Sequence, residues 1–174
     1  GRVSAVLRAW PQSSTGPLAN RGEIAVRAAR AGKAAGYASG AVYADPDRDA
    51  LHVRAADEAY ALGGSTPGDS YLVQDKLLEI AQQSGADAIH PGYGFLSERA
   101  DFAERCAAAG IVFVGPPPSV LRGMGDKSAA RQLAVSNGVT VVPGGDREDD
   151  ETTLIREAAR VSFPGMHKGR GGGG

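Results

Sequence analysis

The residues best suited to chemistry form the run HisProGlyTyrGlyPheLeuSerGlu at positions 90–98. The run directly follows a short apolar segment at 86–89, and ligands of open α/β sheets bind where the strands end. Gly92 and Gly94 would let the backbone approach a ligand closely, and Tyr93 could present its ring to that ligand. The run therefore predicts a βα turn beside a ligand crevice. A tight Gly/Pro connector with packed aromatic rings is the alternative.

Two lysines lie at positions suited to phosphate binding. Lys127 follows MetGlyAsp in the first turn of a predicted helix, where a cation opposes the helix dipole and a bound phosphate would offset it. Lys168 precedes a run of glycines, whose N–H groups can face a phosphate without obstruction from Cβ. A solvated surface lysine and a flexible glycine-rich tail are the alternatives. The glycines are Gly171, Gly172, Gly173 and Gly174.

The chain lacks two common nucleotide-binding patterns. It contains no GxxxxGK followed by Ser or Thr, which would mark a P-loop. It also has no GxGxxG at its first predicted βα turn. A standard dinucleotide-binding site is therefore not expected.

The elements that would position these residues follow one repeated pattern, in which a helical stretch ends at glycine and a short apolar run follows. Glycine adopts the left-handed conformation after a helix without steric cost. Short apolar runs without alternation are typical of strands buried on both faces. The pattern predicts βα units and a parallel sheet, which is an α/β fold. The glycines are Gly36, Gly85, Gly110 and Gly138, and the runs are 38–43, 86–89, 111–114 and 139–142.

Side-chain spacing predicts where helices begin and which faces they bury. Asn20 followed by Glu23 is a variant of the capping box and predicts an N-cap at Asn20. Asp126 is placed to cap a helix over 127–137. A buried helical face is predicted for Leu72, Leu77, Leu78 and Ile80.

Composition divides the chain into three parts. Residues 1–15 form a poorly specified N-terminal segment, 16–118 an α/β domain and 119–174 the start of a second domain. ProProPro at 116–118 marks the exit from the last strand of the first domain, because proline cannot continue a ladder. The acidic segment 143–151 predicts a surface loop that leads into a helix.

Length, charge and cysteine content exclude several classes of function. A chain of 174 residues with net charge −1 carries no electrostatic footprint for nucleic acid or an anionic membrane. No apolar run approaches the ~20 residues that a membrane helix needs. The single cysteine, Cys106, excludes an internal disulfide and is expected to be a buried thiol. His52, His90 and His167 show no metal-ligand spacing, and His90 is expected to be a hydrogen-bonded structural imidazole.

The N-terminal residues carry a separate hypothesis. The first 22 residues contain Arg and Ser but no acid, and apolar residues at positions 3, 6, 7 and 10 have helical spacing. This composition resembles a mitochondrial presequence, and a disordered or mis-joined terminus is the alternative. The expected location is the cytoplasm, with the mitochondrial matrix as the alternative.

Several motifs in one order resemble the N-terminal part of a biotin carboxylase, as found in biotin-dependent acyl-CoA carboxylases and pyruvate carboxylase. They include AlaAsnArgGlyGluIleAlaValArg (19–27) and GlyAlaAspAlaIleHisProGlyTyrGlyPheLeuSerGlu (85–98). The acidic insert at 146–151 favours the biotin-containing subunit of methylcrotonoyl-CoA carboxylase over pyruvate carboxylase, and acetyl- and propionyl-CoA carboxylases are close. The other matching segments are 42–53, 56–60, 70–72, 110–117, 124–131 and 141–144.

The resemblance implies a Rossmann-like parallel sheet, the pre-ATP-grasp domain, followed by the truncated start of an ATP-grasp domain. The implied activity is that of a ligase, in which ATP and bicarbonate give carboxyphosphate and CO₂ passes to the ureido nitrogen of biotin. The implied cofactors are ATP, Mg²⁺, whose ligands lie beyond this chain, and biotin on a carrier. The implied partners are the biotinylated carrier, a carboxyltransferase subunit or domain, and further copies of the complete protein.

The resemblance also implies roles for individual residues. Lys127 matches a nucleotide-contacting lysine, and Lys168 with the glycines at 171–174 matches a phosphate-binding loop. Tyr93 and Gly94 match a turn that lines the biotin and bicarbonate side of the active site.

The chain departs from the family pattern in ways that affect these expectations. Pro17 stands where a central first strand should run, and residues 28–36 carry Ala and Gly in place of bulky core residues. GlyMetHis precedes Lys168 where the family has an apolar strand, and Arg170 replaces a small residue. These departures predict a disrupted first strand, marginal stability and no turnover by the fragment alone. A non-catalytic α/β remnant that serves as a structural or assembly module is the alternative function.

Overall fold

The computed structural model describes residues 15–125, 127–141 and 155, in which helices and strands alternate. The strands are β1 (Thr15–Leu18), β2 (Ala38–Tyr43), β3 (Glu58–Ala61), β4 (Ala88–Ile89) and β5 (Val112–Phe113). The helices are α1 (Gly22–Ala34), α2 (Leu51–Ala55), α3 (Gln74–Gln83), α4 (Ala100–Ala108), α5 (Pro118–Gly125) and α6 (Lys127–Ser136). Short 3₁₀ turns lie at Asp45–Asp47 and Pro67–Asp69.

The described strands pair in parallel, as the α/β prediction requires. β2 lies between β1 and β3, and β4 pairs with β5. Leu18 forms a parallel bridge to His90, and the Ala19 N–H donates to the His90 carbonyl at 3.0 Å. The bridge joins the two ladders in the order β3-β2-β1-β4-β5. The carboxyl ends of β1 and β4 therefore lie side by side.

The prediction that a glycine follows the end of a helix is confirmed at all four positions. Gly36, Gly85, Gly110 and Gly138 have φ values of +84°, +66°, +72° and +72°. Each follows a helix, where an L-residue with a Cβ would be strained.

Only one of the four apolar runs forms a strand over its predicted length. The run 38–43 is β2, whereas β4 and β5 contain two residues each. The preceding helix ends shorten them, because the Ala86 and Ile111 N–H groups donate to the carbonyls of Ala81 and Cys106 at 2.8 and 2.9 Å. Residues 139–141 are not in a strand, and the rest of that run lies outside the described residues.

The prediction that Pro17 disrupts the first strand is wrong. Pro17 lies buried within β1, opposite Gly40 of β2. The N–H and C=O of one strand residue point to the same neighbour, and the Pro17 carbonyl accepts from the His90 N–H at 3.1 Å. The missing N–H of Pro17 therefore falls on the β4 side, where the neighbouring strand has only two residues. The ladder between β1 and β2 does not need that donor.

The buried side chains form two clusters of unequal size. The smaller cluster contains Leu18, Ala25 and Ala29, which agrees with the small side chains predicted for α1. Leu18 and Ala19 belong to different clusters, as expected where successive side chains of an extended chain point to opposite faces of a sheet. The larger cluster includes Val42, Leu62, Tyr71, Leu77, Leu78, Ile80, Ile89, Leu96, Phe102, Cys106 and Ile111.

Two side-chain predictions for the helices have different outcomes. Cys106 is fully buried in α4, as predicted, and burial raises the pKa of its thiol to about 11. Three of the four predicted core residues around α3 are buried, but Leu72 is 40% exposed. Leu72 lies in the turn before α3, which begins at Gln74, and so does not share the helical face.

The chain divides by its internal contacts into two units, Gly1–Leu121 and Arg122–Gly174. In the second unit α6 is followed by Gly138, and Ile155 is helical. The predicted cap Asp126 and the predicted acidic loop at 143–151 lie outside the described residues. Within the part of the chain that the structure describes, no helix is both long and apolar enough to cross a membrane.

Candidate functional site

The run 90–98 occupies the turn that follows β4, at the carboxyl edge of the sheet. The start of α1 lies beside it, because the bridge between Leu18 and His90 aligns the ends of β1 and β4. Two segments far apart in the sequence, 19–23 and 90–95, therefore form one site.

Asn20 holds this turn and does not cap α1 as predicted. The N-cap of α1 is Arg21, which has no side-chain capping bond. The Asn20 amide instead donates to the carbonyls of Pro91 and Tyr93 at 2.8 and 2.7 Å, and its Oδ1 accepts from the Arg21 N–H at 2.8 Å. Asn20 is only 4% exposed. The capping-box spacing assigned Asn20 to the wrong role, because the carbonyls that its amide binds lie more than 70 residues away in the sequence.

His90 closes the beginning of the turn. Its Nδ1 accepts a hydrogen bond from the Gly92 N–H at 3.0 Å, which requires Nδ1 to be unprotonated. Burial lowers the pKa of His90 below its ordinary value. The bond reaches two residues ahead, as an Asn or Asp side chain does in an Asx-turn. His90 is therefore the hydrogen-bonded structural imidazole expected from the sequence.

This bond predicts a loss of stability in acid. A lowered folded-state pKa favours the neutral ring, so its contribution is present above the unfolded pKa of about 6.5 and lost as the pH falls through the folded value. We expect a loss of about 1 kcal/mol, the net value of one hydrogen bond. His90→Asn should keep the bond to Gly92 and remove this part of the pH dependence. Urea unfolding of both proteins between about pH 5 and 8, the range in which histidine titrates, measures this loss. Identical profiles of the two proteins would contradict the assignment.

The Tyr93 ring is held at its hydroxyl end. The hydroxyl donates to the Glu23 carboxylate in the first turn of α1, and this hydrogen bond raises the pKa of Tyr93. The side chain is nevertheless 60% exposed. The ring therefore has a defined direction and an open face.

The two glycines of the turn differ in their surroundings although both have positive φ. Gly92 has φ +65°, and a Cβ placed on it would lie 2.8 Å from Asn20 Nδ2 and 3.0 Å from Ile24 Cγ1. Gly94 has φ +66°, and no described atom lies within 4 Å of a Cβ there. Gly92 is thus packed against the protein, whereas the space beside Gly94 is open.

Phe95 ends the turn in a strained conformation that its neighbours stabilise. Its φ is +43°, the only positive value at a described residue other than glycine. Its ring stacks on the ring of Tyr71 with centroids 5.2 Å apart, and the Arg21 guanidinium lies 5.7 Å from the Tyr71 centroid and 5.9 Å from that of Phe95. Stacking and cation–π contacts favour this arrangement. Strained residues often mark functional sites.

Tyr71 links the aromatic stack to the end of β2. It is 1% exposed, and its hydroxyl donates to Asp47 at 2.7 Å and accepts from the Ala44 N–H at 3.2 Å. Burial and then the bond to Asp47 raise its pKa. Arg21 Nη1 also donates to Asp47 at 3.3 Å. The sequence pattern assigned no site role to Arg21, Asp47 or Tyr71. Residue type alone does not distinguish them from other surface or core residues, and their contacts are formed with distant parts of the chain.

The predicted residues divide into one described group and one outside it. Tyr93 and Gly94 lie together at the sheet edge. The backbone of Lys127 begins α6, but its side chain lies outside the described residues, as do Lys168 and the glycines at 171–174. Among the residues that the structure describes, no group of three His, Cys, Asp or Glu is placed to hold a metal ion.

Comparison with known proteins identifies relatives that align with most of this chain. The alpha subunit of a mitochondrial methylcrotonoyl-CoA carboxylase from Dictyostelium discoideum is 45% identical over 158 residues, 90% of this chain and 23% of that protein. A biotin carboxylase from Halalkalibacterium halodurans is 48% identical over 158 residues, 90% of this chain and 35% of that protein. The chain thus spans well under half of either relative.

A solved structure shares the fold. The biotin carboxylase domain of 2-oxoglutarate carboxylase from Hydrogenobacter thermophilus, a dimer in complex with MgADP, ADP and bicarbonate, has a TM-score of 0.85. It is 41% identical, and the match covers 92% of this chain and 36% of that one. The family description "Biotin carboxylase, N-terminal domain" matches residues 17–121, which is more than half of the chain. This chain therefore belongs to the family of biotin carboxylase N-terminal domains.

Proposed function

We propose that the chain is the N-terminal part of an ATP-dependent biotin carboxylase, and that the turn at 90–95 forms part of its biotin and bicarbonate side. The observation that carries the proposal is the combination of rigidity and openness in this turn. Its backbone is bound by Asn20 and its ring by Glu23, while Tyr93 stays 60% exposed and the space beside Gly94 is open. Such a surface suits a ligand that arrives from outside the domain.

The proposed reaction assigns this turn a positioning role. Bicarbonate accepts the γ-phosphoryl group of ATP, which releases ADP and gives carboxyphosphate. Carboxyphosphate then releases phosphate, and its CO₂ bonds to the ureido nitrogen of biotin, which gives up its proton. Tyr93 and Gly94 would form a wall that orients the ureido ring. A defined orientation of two reactants is worth several kcal/mol of a barrier, which explains a turn held at both its backbone and its ring.

The nucleotide contacts are proposed for the second unit. We assign Lys127, Lys168 and the glycines at 171–174 to ATP, and residues 119–174 to the start of an ATP-grasp domain. The first unit and the family match both end at Leu121, close to the predicted boundary after residue 118. The bicarbonate and MgADP in the complex of the Hydrogenobacter relative support nucleotide chemistry in the complete protein.

The proposal also extends to partners and location. We propose a biotinylated carrier, a carboxyltransferase and a homo-oligomer for the complete protein, supported by the dimer of the Hydrogenobacter domain and the carboxylase names of the relatives. Methylcrotonoyl-CoA is the proposed final acceptor of the carboxyl group, since several relatives are subunits of methylcrotonoyl-CoA carboxylase. The cytoplasm is the proposed location, and the mitochondrial matrix is the alternative because those relatives are mitochondrial.

Turnover by the full-length protein tests the proposed function. ADP release should require ATP and bicarbonate and should increase when free biotin is added, and carboxybiotin should accumulate. Omitting bicarbonate is the control, because other ATPases do not need it. ADP release that ignores both biotin and bicarbonate would contradict the proposal and leave the structural module as the alternative.

Lys168→Ala is expected to weaken ATP binding by the full-length protein about 10- to 100-fold. A hydrogen bond to a charged group contributes roughly 1.5–3 kcal/mol, and about 1.4 kcal/mol is tenfold in affinity. Calorimetric titration with ATP measures the change. Lys76→Ala is the control and removes one positive charge elsewhere. The Lys76 ammonium donates to the Asp69 carbonyl at 2.7 Å, and its loss should leave the affinity for ATP unchanged. Equal affinity of the Lys168 variant and the parent protein would remove Lys168 from the site.

A further inference from the structure

The motif AsnArgGlyGlu at 20–23 meets the turn at 90–95 through its side chains. All polar groups of the Asn20 side chain have partners: both amide hydrogens go to carbonyls of the turn, and Oδ1 accepts from Arg21. An asparagine amide offers two donors and an acceptor, so this side chain is fully used at one place. Neither aspartate, with acceptors only, nor serine, with one donor, can reproduce the set.

The two carbonyls that Asn20 binds stand on either side of Gly92. A Cβ on Gly92 would lie 2.8 Å from Asn20 Nδ2, so the backbone of the turn is packed directly against the amide. Gly92 is also the donor to His90 Nδ1. The position of this peptide therefore depends on Asn20 from one side and on His90 from the other.

Glu23 provides a second contact from the same motif. It lies three residues beyond Asn20 in the first turn of α1 and accepts from the Tyr93 hydroxyl. Asn20 thus sets the height of the Tyr93 backbone above the sheet edge, and Glu23 sets the direction of its ring. Because Asn20 is buried and Glu23 is exposed, the backbone contact is the one that solvent cannot replace.

We propose that Asn20 is a positioning residue for biotin, which acts by holding the Pro91–Tyr93 backbone where the Tyr93 ring and Gly94 meet the ureido group. The inference rests on the proposed function. It separates the role of Asn20 from helix capping, because the N-cap of α1 is Arg21 and the Asn20 Oδ1 accepts from the N–H of that residue rather than from an N–H within the first turn. Asn20 itself does not touch the reacting atoms.

The test compares kinetic constants of Asn20 variants in the full-length protein. Asn20→Ala should lower kcat/KM for free biotin about 10- to 100-fold, the order expected when a positioning contact is displaced by about 1 Å. A higher KM should account for most of this loss, because the displaced turn also binds the ureido ring. Asn20→Ser keeps one donor and should give an intermediate KM. The KM for ATP should stay within about twofold of the parent protein, since a displaced turn leaves the phosphate contacts intact.

A matched control distinguishes positioning from a general loss of stability. Ser39, a residue of β2, is also 4% exposed, and its hydroxyl donates to the Asp57 carboxylate at 3.0 Å. Ser39→Ala should lower stability without changing the KM for biotin. If the Asn20 variants reduce all rates together and leave the KM for biotin unchanged, as unfolding would, Asn20 is structural only and the inference is overturned.

The outcomes also separate this inference from the proposed function. Should Asn20→Ala fail to fold, Asn20→Ser carries the test, and a normal KM for biotin in that variant overturns the inference. Absence of biotin-dependent turnover in the parent protein would overturn the proposed function itself, and the inference with it. Turnover in the parent together with a selective increase in the KM for biotin supports both.

Discussion

Gly92→Ala should lower the free energy of unfolding by about 2–5 kcal/mol, whereas Gly94→Ala should lower it by only about 1–2 kcal/mol. The two positions are matched in conformation, with φ values of +65° and +66°. Each alanine therefore carries the strain of a left-handed L-residue, roughly 1–2 kcal/mol. Only the Cβ on Gly92 also meets the protein, at 2.8 Å from Asn20 Nδ2, and overpacking of this kind costs about 1–3 kcal/mol more.

Urea unfolding of the two variants under the same conditions measures the difference directly. The comparison removes the conformational strain that the variants share, so the remaining difference reports the contacts with Asn20 and Ile24. Equal destabilisation would show that both side chains can move away without cost, and the packing of the turn against α1 would then lose its structural importance.

A larger side chain at Gly94 tests the ligand side of the same turn. Gly94→Val fills the open space beside the turn, so carboxylation of biotin should fall while ATP binding stays nearly intact. The phosphate contacts are assigned to Lys127, Lys168 and the glycines at 171–174, which this change does not touch. Normal biotin-dependent ATP cleavage in a well-folded Gly94→Val protein would make the turn a structural connector.

Phe102→Ala is expected to cost about 3–5 kcal/mol of stability, the second large effect. Phe102 is fully buried in α4, and its ring meets that of Phe113 edge to face with centroids 6.0 Å apart. Small domains have a total stability of about 5–15 kcal/mol, so this single change would remove a large part of it.

Val26→Ala is the comparison on the α1 side. Val26 is a buried residue of α1, whose other buried residues are alanines. We expect a loss of about 1–2 kcal/mol, from roughly 0.8 kcal/mol per buried methylene. Denaturant unfolding of both variants measures the difference between the two losses. Equal losses would contradict the expectation that α1 buries less apolar volume at Val26 than α4 buries at Phe102.

The small buried side chains of α1 still support the prediction of marginal stability, although the argument from Pro17 was wrong. Pro17 does not disrupt β1, but residues 28–36 do contribute few large side chains. The 174-residue chain is therefore still expected to unfold below about 60 °C, within the range of mesophilic domains. A cooperative thermal transition above that temperature would contradict this expectation.

Local chemistry was sufficient to predict the architecture of this chain. Glycines 36, 85, 110 and 138 mark the ends of helices because only glycine adopts positive φ without strain, and that requirement acts within a few residues. The full-length strand at 38–43 was predictable for a similar reason, as a continuous apolar run suits a strand buried on both faces. The same reasoning placed the run 90–98 after a strand, at the carboxyl edge of a parallel sheet.

Tertiary contacts decided what the local rules misjudged. Pro17 is tolerated in β1 because its missing donor faces β4 and the ladder with β2 does not need it, and no pattern around position 17 reveals which strand lies on each side. The N-cap prediction for Asn20 was wrong because its Nδ2 donates to the carbonyls at 91 and 93, and in that orientation its Oδ1 accepts from the Arg21 N–H.

The amino-acid pattern alone therefore predicts the α/β fold, the glycine turns and the run that forms the candidate site. The side chains that hold that run in place are evident from the three-dimensional contacts and not from the pattern. The reason is physical: backbone preferences depend on neighbouring residues, whereas the partners of Asn20, Glu23 and Tyr71 come from distant parts of the chain. Such contacts exist only once β1 and β4 have paired and brought their carboxyl ends together.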